Sequence, residues 1–145
     1  MDTIDRRLIR LFQSNGKLSF QEAGEAVGLS APATFQRVRR LEASGVITGY
    51  HARVDPSAVG LAVLGFVEVV PERGTDHAAL RRGWRKTPAI QECHRVSGTD
   101  GYLLKVRAAS LAGLAALIDG LRRAGCAVHT RLALDTDFER WTVEE

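Results

Sequence analysis

At 145 residues and 15.8 kDa, with 45% hydrophobic and 26% charged residues, the chain has the composition of a globular protein with a packed core, either one domain or two small ones. No apolar run approaches the roughly 18 residues that span a bilayer, and the opening Met1-Asp2-Thr3-Ile4-Asp5 is acidic where a secretory signal is basic, so no membrane partner and a cytoplasmic location are expected. A net charge of +3 permits nucleic-acid binding without requiring it, while Cys93 and Cys126 stand in no CxxC or CxxH spacing and read as two small half-buried thiols, with no metal and no cofactor expected.

Three short helical segments open the chain. Ile4, Leu8, Leu11 and Phe12 form one apolar stripe, with Asp2 or Thr3 as cap and Asp5 in the first turn, and this helix ends at Ser14-Asn15-Gly16. Ser19 and Glu22 have the spacing of a capping box, which predicts a second helix to about Val27. Gly28-Leu29-Ser30 then turns the chain: Gly28 takes the left-handed conformation, Leu29 plugs the corner and Ser30 caps the next helix.

The third helix, Ala31 to Ser44, commits Thr34, Val38 and Leu41 to a core, flanked by Ala31 and Phe35. Opposite Val38, at about 100 degrees per residue, lie Pro32, Ala33, Gln36 and Arg40, with Arg37 and Arg39 on the shoulders. Such a ridge suits a major groove, where Arg pairs with guanine, Gln with adenine, and further arginines neutralise phosphates. A basic run by itself is more often a solvated face paired to acids such as Glu42. Three helices of this length, joined by a three-residue Gly-and-Ser turn, favour the reading helix, with Ser30, Pro32, Ala33, Gln36, Arg37, Arg39 and Arg40 as the DNA contacts.

Residues 1–46 are therefore read as a helix-turn-helix domain of winged-helix-like type, and 47–60 as a linker whose β-branched and aromatic run predicts a strand closed by Asp55-Pro56. From 61 to 145 the pattern alternates. Leu61 to Val70 is a strand, Asp76 to Thr87 a helix carrying Leu80 and Trp84, and Ile90 to Val96 and Tyr102 to Ala108 two strands around Ser97-Gly98-Thr99-Asp100-Gly101. Ser110 caps a helix bearing Leu111, Leu114, Leu117, Ile118 and Leu121, and Cys126 to Leu134 is a fourth strand.

The fold class is α+β, and the order βαββαβ is that of a ferredoxin-like sandwich with one sheet face left to be covered, which predicts self-association. The second and fourth strands are then opposite edges, so Cys93 and Cys126 of one chain are too far apart to join. Glycines of the loop at 97–102 leave backbone N–H groups open to a carboxylate, against the plainer alternative of a hairpin turn.

The segments Gly28-Leu29-Ser30, Arg37-Val38-Arg39-Arg40-Leu41-Glu42 and Gly45-Val46-Ile47-Thr48-Gly49-Tyr50 resemble the signature of the Lrp/AsnC family of leucine-responsive and asparagine-responsive regulators. The likeness extends to Ile4-Asp5-Arg6-Arg7-Leu8-Ile9, Pro88-Ala89-Ile90, Cys93, Val96-Ser97-Gly98 and Tyr102-Leu103-Leu104-Lys105-Val106. It implies a transcriptional regulator that binds double-stranded DNA as a homodimer, with a C-terminal domain that builds higher oligomers such as a tetramer or octamer and takes an amino-acid effector. By the same resemblance Ser97, Gly98, Thr99, Asp100, Gly101 and Tyr102 are the effector contacts, with Thr130 as a further candidate.

There are two departures. Ala23-Gly24 replaces the family's usual Leu-Ala, which predicts a loosely packed second helix. Gly101 stands where an aspartate usually precedes the tyrosine, with Asp100 one place early. Two alternatives are an architectural DNA-binding protein without an effector and an enzyme similar to the haem-pathway decarboxylases that resemble this two-domain fold. His51, His77, His94 and His129 are scattered, with no HxxxH or paired-carboxylate spacing, so no catalytic residues are assigned.

Overall fold

The computed structural model describes residues 1–98 and 101–143. The chain forms two compact units, one of Met1–Arg53 with Phe138–Glu145 and one of Val54–Asp137.

The first unit is three helices, α1 (Thr3–Ser14), α2 (Phe20–Val27) and α3 (Ala31–Ala43). Each start is capped. Asp2 and Asp5 exchange backbone-to-carboxylate hydrogen bonds, the Glu22 N–H donates to the Ser19 hydroxyl while the Ser19 N–H donates to the Glu22 carboxylate, and the Ser30 hydroxyl accepts from the Ala33 N–H. Gly28, at φ 77°, ends α2 in the left-handed conformation. Leu8, Phe12, Ala23, Val27 and Val38 form the core, with Ile4, Leu11, Leu18, Phe20, Leu29 and Ile47 around it.

The expectation of a loose second helix is overturned at Gly24. A methyl group there would lie 2.6 Å from the Leu29 carbonyl oxygen and 2.7 Å from Thr34 Oγ1, so the glycine is where α2 and the turn into α3 come into closest approach. Both Gly24 and Thr34 are buried, and the Thr34 hydroxyl donates to the Ser30 carbonyl.

The strand expected after α3 is not formed. Both Val46 and Ile47 donate their N–H groups to the Leu41 carbonyl, 2.9 and 3.1 Å away, closing the end of α3. The β-branched run that follows has no strand to pair with among the described residues, and without pairing its composition cannot make a strand. Tyr50 instead sets its ring edge against Phe12 and donates to Glu42 Oε1 at 3.1 Å. Partial burial and that carboxylate push its phenol up to about 12. Phe138 to Val143 belong with this unit rather than with the preceding strand. The Gln13 amide donates to the Val143 carbonyl and accepts from the Val143 N–H, at 3.0 and 2.6 Å.

The second unit runs β1 (Val63–Pro71), α4 (His77–Arg85), β2 (Ile90–Arg95), β3 (Tyr102–Ala108), α5 (Leu111–Arg123) and β4 (Cys126–Leu132), after a short 3-10 turn at Ser57–Val59. The antiparallel sheet has the order β2-β3-β1-β4, the ferredoxin-like arrangement. Cys93 and Cys126 thus sit on opposite edge strands, both as free thiols, with Cys93 exposed and Cys126 buried rather than both half-buried.

Residues of one parity, Val67, Val69, Tyr102, Leu104 and Val106, pack beneath α4 and α5 with Trp84, Leu114 and Leu121. The other parity brings Phe66 opposite Lys105 and Arg131, and Glu68 opposite Leu103 and His129. On that second face Phe66 is 37% exposed, and Lys105 reaches Glu92 at 3.4 Å. No helix among the described residues is long and apolar enough to cross a membrane.

Candidate functional site

The geometry of α3 follows from the turn before it. Because Gly24 allows close approach and Ser30 caps the helix, Thr34, Val38 and Leu41 are sealed inward, at 0%, 0% and 3% exposure. The opposite side, with Ser30, Pro32, Gln36, Arg39 and Arg40, is open, and Ala33 is half-buried between them.

The cations on this helix do not all have the same freedom. Asp5, on α1, has a side chain only 2% exposed and is the acceptor for two of them. Arg37 donates to Asp5 at 2.8 Å and to Asp2 at 2.6 Å, and is itself 26% exposed. Arg40 places one guanidinium nitrogen on both Asp5 oxygens, at 3.1 and 3.0 Å, yet stays 63% exposed.

Burial pushes the Asp5 carboxyl up, but the Asp2 backbone N–H and the Arg37 guanidinium outweigh it and hold the group below its ordinary value. Asp2, held first by the Asp5 N–H and then by Arg37, is lowered to about 2. Arg37 therefore joins α3 to α1, and its shoulder faces protein. Arg39 is the freest of the three, at 67% exposure, with a salt bridge to Glu42 at 3.2 Å and its guanidinium 5.6 Å from the Phe35 ring centre.

Sequence reasoning placed Asp5 in the first turn of α1 but did not pair it with α3. Its spacing from Asp2 is that of a capping box, and that was the available signal for both acids being held at one point.

In the second unit Ser97 and Gly98 are exposed, with Gly98 at φ 105°, and the buried Gly101 accepts at its carbonyl from the Val96 N–H at 3.2 Å, closing the hairpin. Thr99 and Asp100 lie outside the described residues. Tyr102 is 3% exposed, its hydroxyl is 3.1 Å from His77 Nδ1, and its ring stands edge-on to Trp84 at 5.2 Å. Thr130 is exposed on β4, with β1 between it and β3, and opposite Val67 rather than at the level of Val69, which pairs with Tyr102. The structure thus joins Tyr102 to His77 and leaves Thr130 apart. The other histidines are exposed, His94 with Glu92 at 3.0 Å. No cluster of metal-binding side chains exists among the described residues.

Comparison with known proteins gives two family matches. An AsnC-type helix-turn-helix domain matches residues 1–42, and an Lrp/AsnC ligand-binding domain matches residues 64–136. The HTH-type transcriptional regulator LrpA of Mycobacterium tuberculosis is 35% identical over 122 residues, 84% of this chain and 81% of that protein. The leucine-responsive regulatory protein of Escherichia coli is 40% identical over 109 residues, 74% of this chain and 66% of that protein. A feast or famine regulatory protein from M. tuberculosis, solved in complex with L-methionine, superposes with a TM-score of 0.91 at 31% identity, covering 98% of this chain and 97% of that one.

Proposed function

Because the chain belongs to the Lrp/AsnC family of helix-turn-helix transcriptional regulators, and is no enzyme, we propose that α3 reads the major groove through Gln36 and Ala33 while Arg39 and Arg40 hold flanking phosphates. One observation carries this reading: the face of α3 that holds Pro32, Gln36, Arg39 and Arg40 is open while Thr34, Val38 and Leu41 on its other face are buried. Ser30 and Pro32, at the helix start, lie where a recognition helix approaches base edges and backbone. Arg37 acts here as a brace through Asp2 and Asp5, with a phosphate contact secondary to that.

The second unit is the part that answers to a small molecule, and an amino acid is the class proposed. Among the described loop residues the exposed Ser97 and Gly98 are the proposed backbone donors for its carboxylate, with Tyr102 and His77 as the wall behind them and Thr130 as a separate contact. The M. tuberculosis relative solved with L-methionine supports that class. The open sheet face around Phe66, Leu103 and Val70 supports a homodimer formed there, and larger assemblies of dimers.

Titration of labelled duplex from a random-sequence pool tests the DNA reading. Affinity is expected to fall by orders of magnitude between 50 and 200 mM salt, as phosphate contacts require; salt-indifferent or absent binding would overturn it. Melting temperature measured with each of the twenty amino acids tests the effector, since a ligand selective for the folded state raises stability by mass action. No shift with any of them would leave a DNA-binding regulator without an amino-acid effector.

A further inference from the structure

The second unit carries a cationic ridge that neither the reading helix nor the effector loop explains. On α4, His77, Leu80 and Trp84 face the sheet. At about 100 degrees per residue, Arg81, Arg85, Arg82 and then Lys86 at the helix end follow one another round an arc of about 140 degrees that begins beside His77, with Ala78 within it and Ala79 and Gly83 just past it. All four cations are exposed. The helix itself contributes no acid: the capping Asp76 reaches Arg82 only at 3.9 Å, with both side chains about two-thirds exposed.

A solvated helix face ordinarily interleaves acids at three- and four-residue spacing, as α5 does with Asp119 and Arg122. The negative end of the helix dipole favours cations in the last turn, which accounts for Arg82, Arg85 and Lys86 but not for Arg81 one position before them. Four cations with the weak Asp76 contact to Arg82 as their one ion pair among the described residues repel one another and persist best where a polyanion neutralises them. Three of the four are arginines, whose planar fork of donors matches two phosphate oxygens at once.

We propose that this ridge on α4 is a second contact for the sugar-phosphate backbone of DNA, made without base readout. The inference rests on the reading of the chain as a DNA-binding protein. Small alanines in and beside the same arc let a duplex approach the helix closely, and the ridge gives the C-terminal unit a direct part in holding DNA.

The test uses the full chain with Arg82→Gln, Arg85→Gln and Lys86→Gln together, residues that remain good helix formers. Binding to a non-cognate duplex of about 150 base pairs is followed from 50 to 200 mM salt. Loss of three phosphate contacts lowers the salt slope by about 2.7, so wild-type affinity should fall about 40-fold more than the variant's over that range. Preference for sequences selected by the wild type and oligomeric mass should stay unchanged, and melting temperature should fall by only several degrees as the favourable charges at the end of α4 are removed. An unchanged slope would overturn the inference and give the ridge to another occupant, such as an acidic protein. In that case a Gln36→Ala variant that still alters sequence preference would show that the α3 reading stands. Absence of any wild-type binding would overturn both.

Discussion

Replacing Asp5 by Asn keeps the shape of the side chain and removes its charge, which isolates the link between α1 and α3. The carboxylate accepts from the Asp2 N–H at 3.0 Å, from Arg37 at 2.8 Å and from Arg40 at 3.1 and 3.0 Å. Hydrogen bonds to charged groups are worth about 1.5–3 kcal/mol, and stranding one partner of a fully buried pair costs about 3–5 kcal/mol. Here the partners keep 26% and 63% of their exposure, so water takes up the released guanidiniums and the cost falls toward the surface value of about 1 kcal/mol. The Asn oxygen still accepts from Asp2, preserving that part of the cap.

The expected net loss is about 2 kcal/mol, confined to the first unit and equal to about a 30-fold larger opening constant. Amide hydrogen exchange should show that acceleration in α1 and α3 with β1 and β3 unchanged. Protection within threefold of wild type in α1 would refute the reasoning, because hydration would then have replaced the ion pairs completely. The pH dependence has a fixed sign. Both Asp2 and Asp5 titrate below the ordinary 3.8 when folded, so their contribution is complete above that value and is lost as pH falls through the folded-state values. The wild-type unit should lose stability between about pH 4 and pH 2, and Asp5→Asn should flatten that limb.

Gly24→Ala should destabilise by about 1–3 kcal/mol through overpacking, despite alanine's helix preference, and a midpoint equal to or above wild type in urea denaturation would restore the loosely packed reading. Ser19→Ala removes the acceptor for the Glu22 N–H and should cost about 1 kcal/mol in the same assay. Gln36→Ala should flatten base preference at one position by about 1–3 kcal/mol in selected duplexes with little change in salt slope; a uniform loss across sequences would make it a phosphate contact. An aromatic disulfide reagent should modify Cys93 in the folded protein and Cys126 only on unfolding. Because burial pushes the Cys126 thiol up and partial desolvation within an otherwise exposed residue does the same for Cys93, the Cys93 reaction should be slow at pH 7 and quicken above pH 9.

The helix starts were legible because their signals are local. Ser19, Glu22, Gly28 and Ser30 act on residues within four positions, and each does in the fold what its spacing implied. The strand periodicity likewise carried the order of the second unit, since alternation is written along each strand. What was not legible depends on distant partners. The Val46–Asp55 run has strand composition but no strand to pair with among the described residues, and Gly24 reads as a defect until the Leu29 carbonyl stands beside it. The return of Val143 to Gln13 leaves no trace in either local sequence.

The same dependence divides the candidate DNA contacts. Asp5 is 35 residues from Arg40 in sequence, so the three arginines of α3 look equivalent until the fold brings that carboxylate among them. Afterwards they have different work. Arg37 is spent on two acids, and among the described residues Arg39 is held by the short-range Glu42 pair and the Phe35 ring. Arg40 is intermediate, since both Asp5 oxygens engage a single terminal nitrogen and its other donors remain available to a phosphate. Fixing that side chain before binding removes about 0.5–1.5 kcal/mol of ordering cost. The acid beside it opposes the phosphate by a comparable amount, because the Arg37 guanidinium at 2.8 Å already offsets much of the Asp5 charge. The two effects nearly cancel, so Asp5 governs where Arg40 points more than how tightly the helix binds.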